Sequence, residues 1–271
     1  MTDAKAPAPA PELKAAGSKR RAVITAVTSG KGGVGKTFVA ANLAAALARM
    51  GERVLVLDAD LGLANLDVVL NLPPRITLHD VFTGRHLLAD AIVPAPGGFS
   101  VLLAGSGMVE YSRLTPEVRQ QLQSVIANVV AKFDHVILDT GAGISDVVLY
   151  TVSLADKVLV VATPEPTSLT DAYATIKVLA TVQQRRTMQL IVNQVRKPGE
   201  GRTVQHQLQQ VVDRYVTPAL GQQVHLELVG EIALDGAVRD AVVRRELLLV
   251  WQPGTPAAVA IVAAATKLRG A

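Results

Sequence analysis

The sequence predicts an α/β protein: a doubly wound, mostly parallel sheet flanked by helices on both faces. Three observations carry this. Short β-branched apolar runs recur along the chain, segments of helical period lie between them, and the residues able to do chemistry gather at the ends of those runs. Strands that are apolar throughout need cover on both faces, and parallel strands need a crossover between them. Right-handed crossovers then place ligand sites beyond the C-terminal ends of the strands.

The first twenty residues, MTDAKAPAPAPELKAAGSKR, are rich in Ala, Pro and Lys and show no period that could bury a face, so they read as a flexible tail. Residues 21–271 read as one domain, because no internal repeat or composition break divides them. Within it the strand candidates are AVITAVT at 22–28, RVLVLD at 53–58, HVILD at 135–139, KVLVVAT at 157–163 and MQLIVNQ at 188–194. A hairpin or edge strand is expected near Phe99 to Leu103. Val118, Leu122, Val125, Ile126 and Val129 form one helical stripe, and Val204, Leu208, Val211, Val212 and Tyr215 form another.

Composition narrows the function. Aromatic residues are only 3% of a chain that is 49% hydrophobic, so the core must be aliphatic, as suits a buried parallel sheet. The net charge of +4 carries no long like-charge block and does not by itself predict nucleic-acid binding. With no cysteine there is no disulfide, thiolate metal site or cysteine nucleophile. His79, His86, His135, His206 and His225 are scattered without metal-ligand spacing. No signal-peptide pattern is present and no apolar run reaches the roughly 18 residues of a membrane span, so a cytoplasmic protein is expected, with any membrane contact peripheral.

The chemistry begins directly after the first strand. Gly30-Lys31-Gly32-Gly33-Val34-Gly35-Lys36-Thr37 fits G-x-x-x-x-G-K-[ST] and opens a helix running through Ala40, Leu43, Ala44 and Leu47. Strand, glycine-rich loop and helix in that order make a P-loop: the glycines let successive N–H groups face phosphate oxygens and the helix N-terminus adds its dipole. Lys36 is expected to reach the β- and γ-phosphates and Thr37 to put its hydroxyl on Mg²⁺. With Phe38, these residues form the candidate nucleotide cradle.

The second strand ends in Asp58-Ala59-Asp60, two carboxylates near the expected γ-phosphate. They need a counter-charge, which Mg²⁺ supplies, and a carboxylate can also orient an attacking water. Asp67 reads equally well as a helix cap. HVILD delivers Asp139 as a Walker B carboxylate that would hold Mg²⁺ through water, and Gly143 in the loop that follows can approach the γ-phosphate.

The pattern K-G-G-V-G-K-T, with Lys31 early in the loop, resembles the deviant Walker A family that includes MinD, ParA and the nitrogenase iron protein. The resemblance implies the MinD-like P-loop fold, slow ATP hydrolysis, and an ATP-sandwiched homodimer in which Lys31 reaches the partner's nucleotide. It further implies that Asp60 positions water, Asp58 belongs to the magnesium shell and Asn65 joins the switch. Asn193 falls where the family reads adenine, and Asp235 ends the segment Glu231-Ile232-Ala233-Leu234-Asp235 beside the base, with Ala233 in place of the usual proline.

DADLGLANLDVVL at 58–70 and EPTSLTDAYATIK at 165–177 narrow the likeness to the MinD-related regulators of flagellar number, FlhG or FleN. That likeness spans Val23 to Leu249 and implies control of flagellar number with a transcription activator of the FleQ/FlrA kind, the GTPase FlhF and peripheral membrane contact as partners. Many such relatives carry an N-terminal DQAxxLR element that stimulates FlhF; PELKAAGSKRR has no match. Apart from any resemblance, Thr167 or Ser168 can cap a helix with the stripe Leu169, Tyr173, Ile176 and Leu179. The C-terminal PAAVAIVAAATKLRGA lacks the basic rim of an interfacial anchor and reads as a packed helix.

Two other functions share this loop. A ParA-type partition ATPase would hold DNA through Arg185, Arg186, Arg239, Arg244 and Arg245, although solvated helix faces account for these arginines more simply, so DNA binding is not expected. A metal-cluster carrier would want thiolate ligands that the chain lacks.

Overall fold

The computed structural model describes residues 21–62, 64–73, 75–105 and 113–270; the tail at 1–20 lies outside them. In chain order the elements are β1 (Val23–Ser29), α1 (Lys36–Arg49), β2 (Val54–Ala59), α2 (Leu66–Leu70), α3 (Leu78–Phe82), α4 (Leu88–Ala91), β3 (Ile92–Pro94), β4 (Ser100–Leu102), α5 (Pro116–Val129) and β5 (His135–Ala142). They continue as α6 (Asp146–Ser153), β6 (Lys157–Ala162), α7 (Pro166–Val182), β7 (Thr187–Val195), α8 (Glu200–Tyr215), α9 (Thr217–Leu220), β8 (His225–Ala233), α10 (Gly236–Arg244), α11 (Leu248–Trp251) and α12 (Pro256–Gly270).

The described strands form a sheet of order β3-β4-β2-β5-β1-β6-β7-β8. Every pairing is parallel except β3 with β4, which makes the short antiparallel edge expected around Phe99 to Leu103. β1 lies between β5 and β6, so the loop that leaves it emerges from mid-sheet, flanked by the ends of β5 and β6. Helices cover both faces. One core joins the sheet to α5, α6, α7 and α8, the other to α1, α11 and α12.

α5 buries Val118, Leu122, Val125, Ile126 and Val129, the predicted stripe in full. Its start is fixed by Thr115, whose hydroxyl accepts from the Val118 N–H, with Pro116 in the first turn. Three expectations differ from the structure. On α8 only Val204, Leu208 and Val212 of the predicted stripe are buried; Val211 and Tyr215 face outward because α8 turns a narrower face to β7 and β8. On α7 the N-cap is Glu165 with Pro166 behind it, and the Ser168 hydroxyl instead accepts from the Thr163 N–H at 2.9 Å. Leu169 and Tyr173 are only partly buried, while Ala172 and Thr175 take the inner face, because that face passes close to the backbone around Gly30.

β8 was not foreseen from the sequence. HLELVGEIA mixes Glu and Gly into the run and lies at the sheet edge, where partial exposure blurs the apolar pattern. α12 is a packed helix: Ala257, Ala258, Ile261, Ala264, Ala265 and Leu268 are buried against the core it shares with α1. Small residues let it lie close, and a Cβ on Gly230 of β8 would stand only 3.0 Å from the Ala264 Cβ.

Candidate nucleotide site

The loop Gly30–Thr37 leaves the end of β1 and enters α1, as the motif requires. Its glycines have separate reasons. Gly33 and Gly35 have φ of 80° and 93°, the left-handed region that disfavours any side chain with a Cβ. Gly30 is constrained by contact: a Cβ there would collide with the backbone of Asp171 and Ala172 in α7.

Three acids meet beneath the loop. Asp58 and Asp139 are register partners on neighbouring strands β2 and β5, so the sheet itself sets them side by side. Both are buried. Burial, then the charge of Asp139, pushes the Asp58 carboxyl well above the usual carboxylate range, opposed by the N–H groups of Leu66 and Asp60. Burial pushes Asp139 up to about 6, while the Thr37 hydroxyl and Lys36 favour its charged form. Lys36 is shifted down by burial, against the pull of Asp139 and Asp60. Asp60 lies above Gly141, where a Cβ would come 3.4 Å from its Oδ1. Gly141 thus leaves space for the Asp60 carboxylate.

The donor set fits Mg²⁺. Oδ1 of Asp139 is buried with no hydrogen-bond partner among the described residues, and such an atom next to a hydroxyl and a second carboxylate suits a hard cation with oxygen ligands. Thr37, Asp58 and Asp139 are therefore brought together. Asn65 sits seven residues on from Asp58 as the N-cap position of α2 and makes no side-chain cap bond there. Asp67 lies in the first turn of α2, one residue inside the helix start at Leu66, and Asp58 is the acid whose carboxylate bonds the Leu66 N–H. Gly143, at φ 86°, donates its N–H to the Ser29 carbonyl at 2.8 Å, tying the loop after β5 to the end of β1.

Beside the loop opens a cavity of about 350 Å³ whose lining includes Gly33, Gly35, Phe38, Asn193, Asp235 and Val242. It is mainly apolar, as a purine base requires. Sequence reasoning missed α10 as a wall of this pocket, because Val238 and Val242 reach it only through the fold. Asn193 and Asp235 line the pocket, yet their polar atoms are engaged with protein. The Asn193 Nδ2 donates to the Val34 carbonyl, and its Oδ1 accepts from the Gln194 N–H. Asp235 caps α10 through the Ala237 N–H and also accepts from the Ala257 N–H.

Lys31 is held at the start of α7. Its Nζ lies 3.0 Å from both Glu165 Oε2 and Thr167 Oγ1 at the start of α7. The five arginines considered for DNA are spread out. Arg185 donates to the Val152, Ala155 and Asp156 carbonyls behind α6, Arg186 precedes β7, and Arg239, Arg244 and Arg245 belong to α10 or its C-cap, with Arg244 over the Trp251 ring.

The model of the CobQ/CobB/MinD/ParA nucleotide binding domain matches residues 25–248, from β1 to α11. The chain belongs to that family. It is a P-loop ATPase of the MinD/ParA kind, with ATP and Mg²⁺ as its ligands. It is 41% identical to the antiactivator FleN of Pseudomonas aeruginosa over 94% of this chain and 89% of that one. It is 32% identical to the flagellum site-determining protein YlxH of Helicobacter pylori over 82% of this chain and 74% of that one. Septum site-determining MinD of Pyrococcus horikoshii, solved with Mg-ADP, superposes with a TM-score of 0.69 at 28% identity, covering 91% of this chain and 96% of that one. Among the described residues no helix is long and apolar enough to cross a membrane.

Proposed function

We propose that this ATPase is a dimerising switch with slow hydrolysis that limits flagellar number and flagellar gene expression. The observation that carries it is the contrast between two lysines of one loop. Lys36 is buried with Asp139 and Asp60 beside it, and the Nζ of Lys31 pairs with Glu165 at the start of α7.

In this reading Lys36 and the N–H groups of residues 32–37 bind the phosphates, and Thr37, Asp58 and Asp139 hold Mg²⁺. Bound Mg²⁺ supplies charge neutralisation on the phosphate oxygens. Asp60 accepts a hydrogen bond from the attacking water and orients it in line, which is most of what phosphoryl transfer asks of a protein. Gly143 and Asn65 move with the γ-phosphate, since the Gly143 tie to Ser29 runs beside the loop. Lys31 crosses to the nucleotide of a second copy. Residues 21–271 act as one unit.

The flagellar output rests on the likeness to FleN and YlxH. The partner of the dimer is then a flagellar transcription activator of the FleQ/FlrA kind, with FlhF a second partner and peripheral membrane contact a third. The switch is tested by light scattering of the Asp60→Ala protein with ADP and with Mg-ATP: dimer only with ATP is expected, and monomer in both would end the sandwich mechanism. Deleting the coding sequence and counting flagella per cell tests the output, with an unchanged count removing it.

A further inference from the structure

We propose that the groove where α6, α7 and β7 meet is a second ligand site, separate from the nucleotide site, for a small hydroxylated phosphate monoester.

The groove lies at the opposite pole of the sheet. β1, β6 and β7 run parallel, and the phosphate loop follows the C-terminal end of β1, whereas the groove reaches Thr187, the first residue of β7. It is a cavity of about 560 Å³ with Ser153 from the end of α6, Val182 from the end of α7, and Gln183, Arg185 and Arg186 in its wall. That size suits a small molecule. Gln184, also in the wall, has a φ of 54°, uncommon for a residue with a side chain. The chain turns tightly there, and four successive residues reach one groove.

The charge in the wall is positive and unanswered. Among the described residues that line the groove none is acidic. The nearby Asp156 carboxylate is taken by the Arg21 guanidinium and the Ile24 N–H. The two arginines differ in what they have left to give. Arg185 donates to the Val152, Ala155 and Asp156 carbonyls and so closes the end of α6. Arg186 has a buried Nη1 with no hydrogen-bond partner among the described residues. Gln183 is its complement: Nε2 donates to the Leu149 carbonyl at 2.6 Å, and Oε1 is buried without a partner. One unspent donor and one unspent acceptor therefore belong to the wall of a single cavity, where buried polar atoms are ordinarily paired.

The pair of requirements selects the ligand class. A guanidinium is a planar fork that matches the oxygens of a phosphate or a carboxylate. An ionised carboxylate, however, has no hydrogen to offer Gln183 Oε1. A phosphate monoester of a small polyol has both, phosphate oxygens for Arg186 and a hydroxyl for Gln183.

Calorimetry on the full chain tests this with glycerol phosphate, with saturating Mg-ADP present to fill the phosphate loop and glycerol as the probe that lacks the phosphate. One equivalent of glycerol phosphate is expected to bind, and glycerol is expected to give no heat. Arg186→Gln should weaken glycerol phosphate by at least about tenfold, as for one charge-assisted hydrogen bond lost. Arg186→Lys keeps the charge, loses the fork and should weaken it by less; it carries the test if the first variant does not fold. Mg-ADP affinity should stay within about twofold in both. No binding of glycerol phosphate by the parent, or binding as tight in both variants, would overturn the proposal, as would glycerol binding equally well. A parent that ignores glycerol phosphate but holds a short DNA duplex, and loses it in Arg186→Gln, would assign the arginine to DNA and overturn the proposal too.

Discussion

The Nζ of Lys31 stands 3.0 Å from Glu165 Oε2 and equally close to Thr167 Oγ1, which joins the phosphate loop to the first turn of α7 within one chain. Both partners come from EPTSLTDAY, the stretch that narrowed the likeness, and the pair is partly exposed, with 32% of the lysine and 62% of the glutamate side chain open to solvent. An exposed ion pair contributes only about 0.2–1 kcal/mol, so this tie can be exchanged for another partner at small cost.

Lys31→Ala should therefore leave Mg-ADP affinity within about twofold, since no lost bond involves the cradle, and abolish the ATP-dependent dimer. Glu165→Gln should lower the protein concentration needed for dimerisation by no more than about fivefold, the equivalent of one such pair. Analytical ultracentrifugation with Mg-ATP reads both. A Lys31→Ala protein that dimerises like the parent would show that the lysine has no task across the interface.

A second expectation concerns pH. Burial raises the Asp139 carboxyl to about 6, above its unfolded value near 3.9, so the folded chain holds that proton more tightly than the unfolded chain does. The resulting stabilisation is complete below about pH 4 and is lost as pH rises through 6. Asp139→Asn should make the metal-free protein more stable at pH 8 by roughly 3 kcal/mol, and should also relieve Asp58 of its neighbour's charge. It should abolish hydrolysis while doing so. Urea midpoints at pH 5 and pH 8 in chelator decide it: equal destabilisation at both would mean that the buried carboxylate carries no penalty.

The C-terminal helix gives a third. Ile261 is fully buried where α12 meets the core of α1, so Ile261→Ala should cost about 2–4 kcal/mol and lower the melting temperature by several degrees. Thermal unfolding in the absence of lipid measures this. A helix held in reserve for a membrane would tolerate the change without loss of stability.

Much of the site was legible because it is local. Gly30 to Thr37 is a contiguous motif whose spacing is dictated by phosphate geometry, and HVILD announces Asp139 at the end of an apolar strand. The stripe of α5 could be read residue by residue, since one face meets one sheet. β8 could not, because at an edge the apolar pattern of a strand is diluted by Glu227, Gly230 and Glu231.

The sequence by itself determined the P-loop, its two lysines, the acids at the ends of the second and fifth strands, and the alternation that makes a parallel sheet. Each of these is written within a few residues, where backbone sterics and period act directly. Only the tertiary structure decided that Asp58 and Asp139 are register partners, that Lys31 reaches Glu165, that α10 walls the cavity beside the loop, and that Asn193 holds Val34. Those relations join residues tens to hundreds of positions apart. They depend on strand order and on one bulge in β7, which no local propensity encodes.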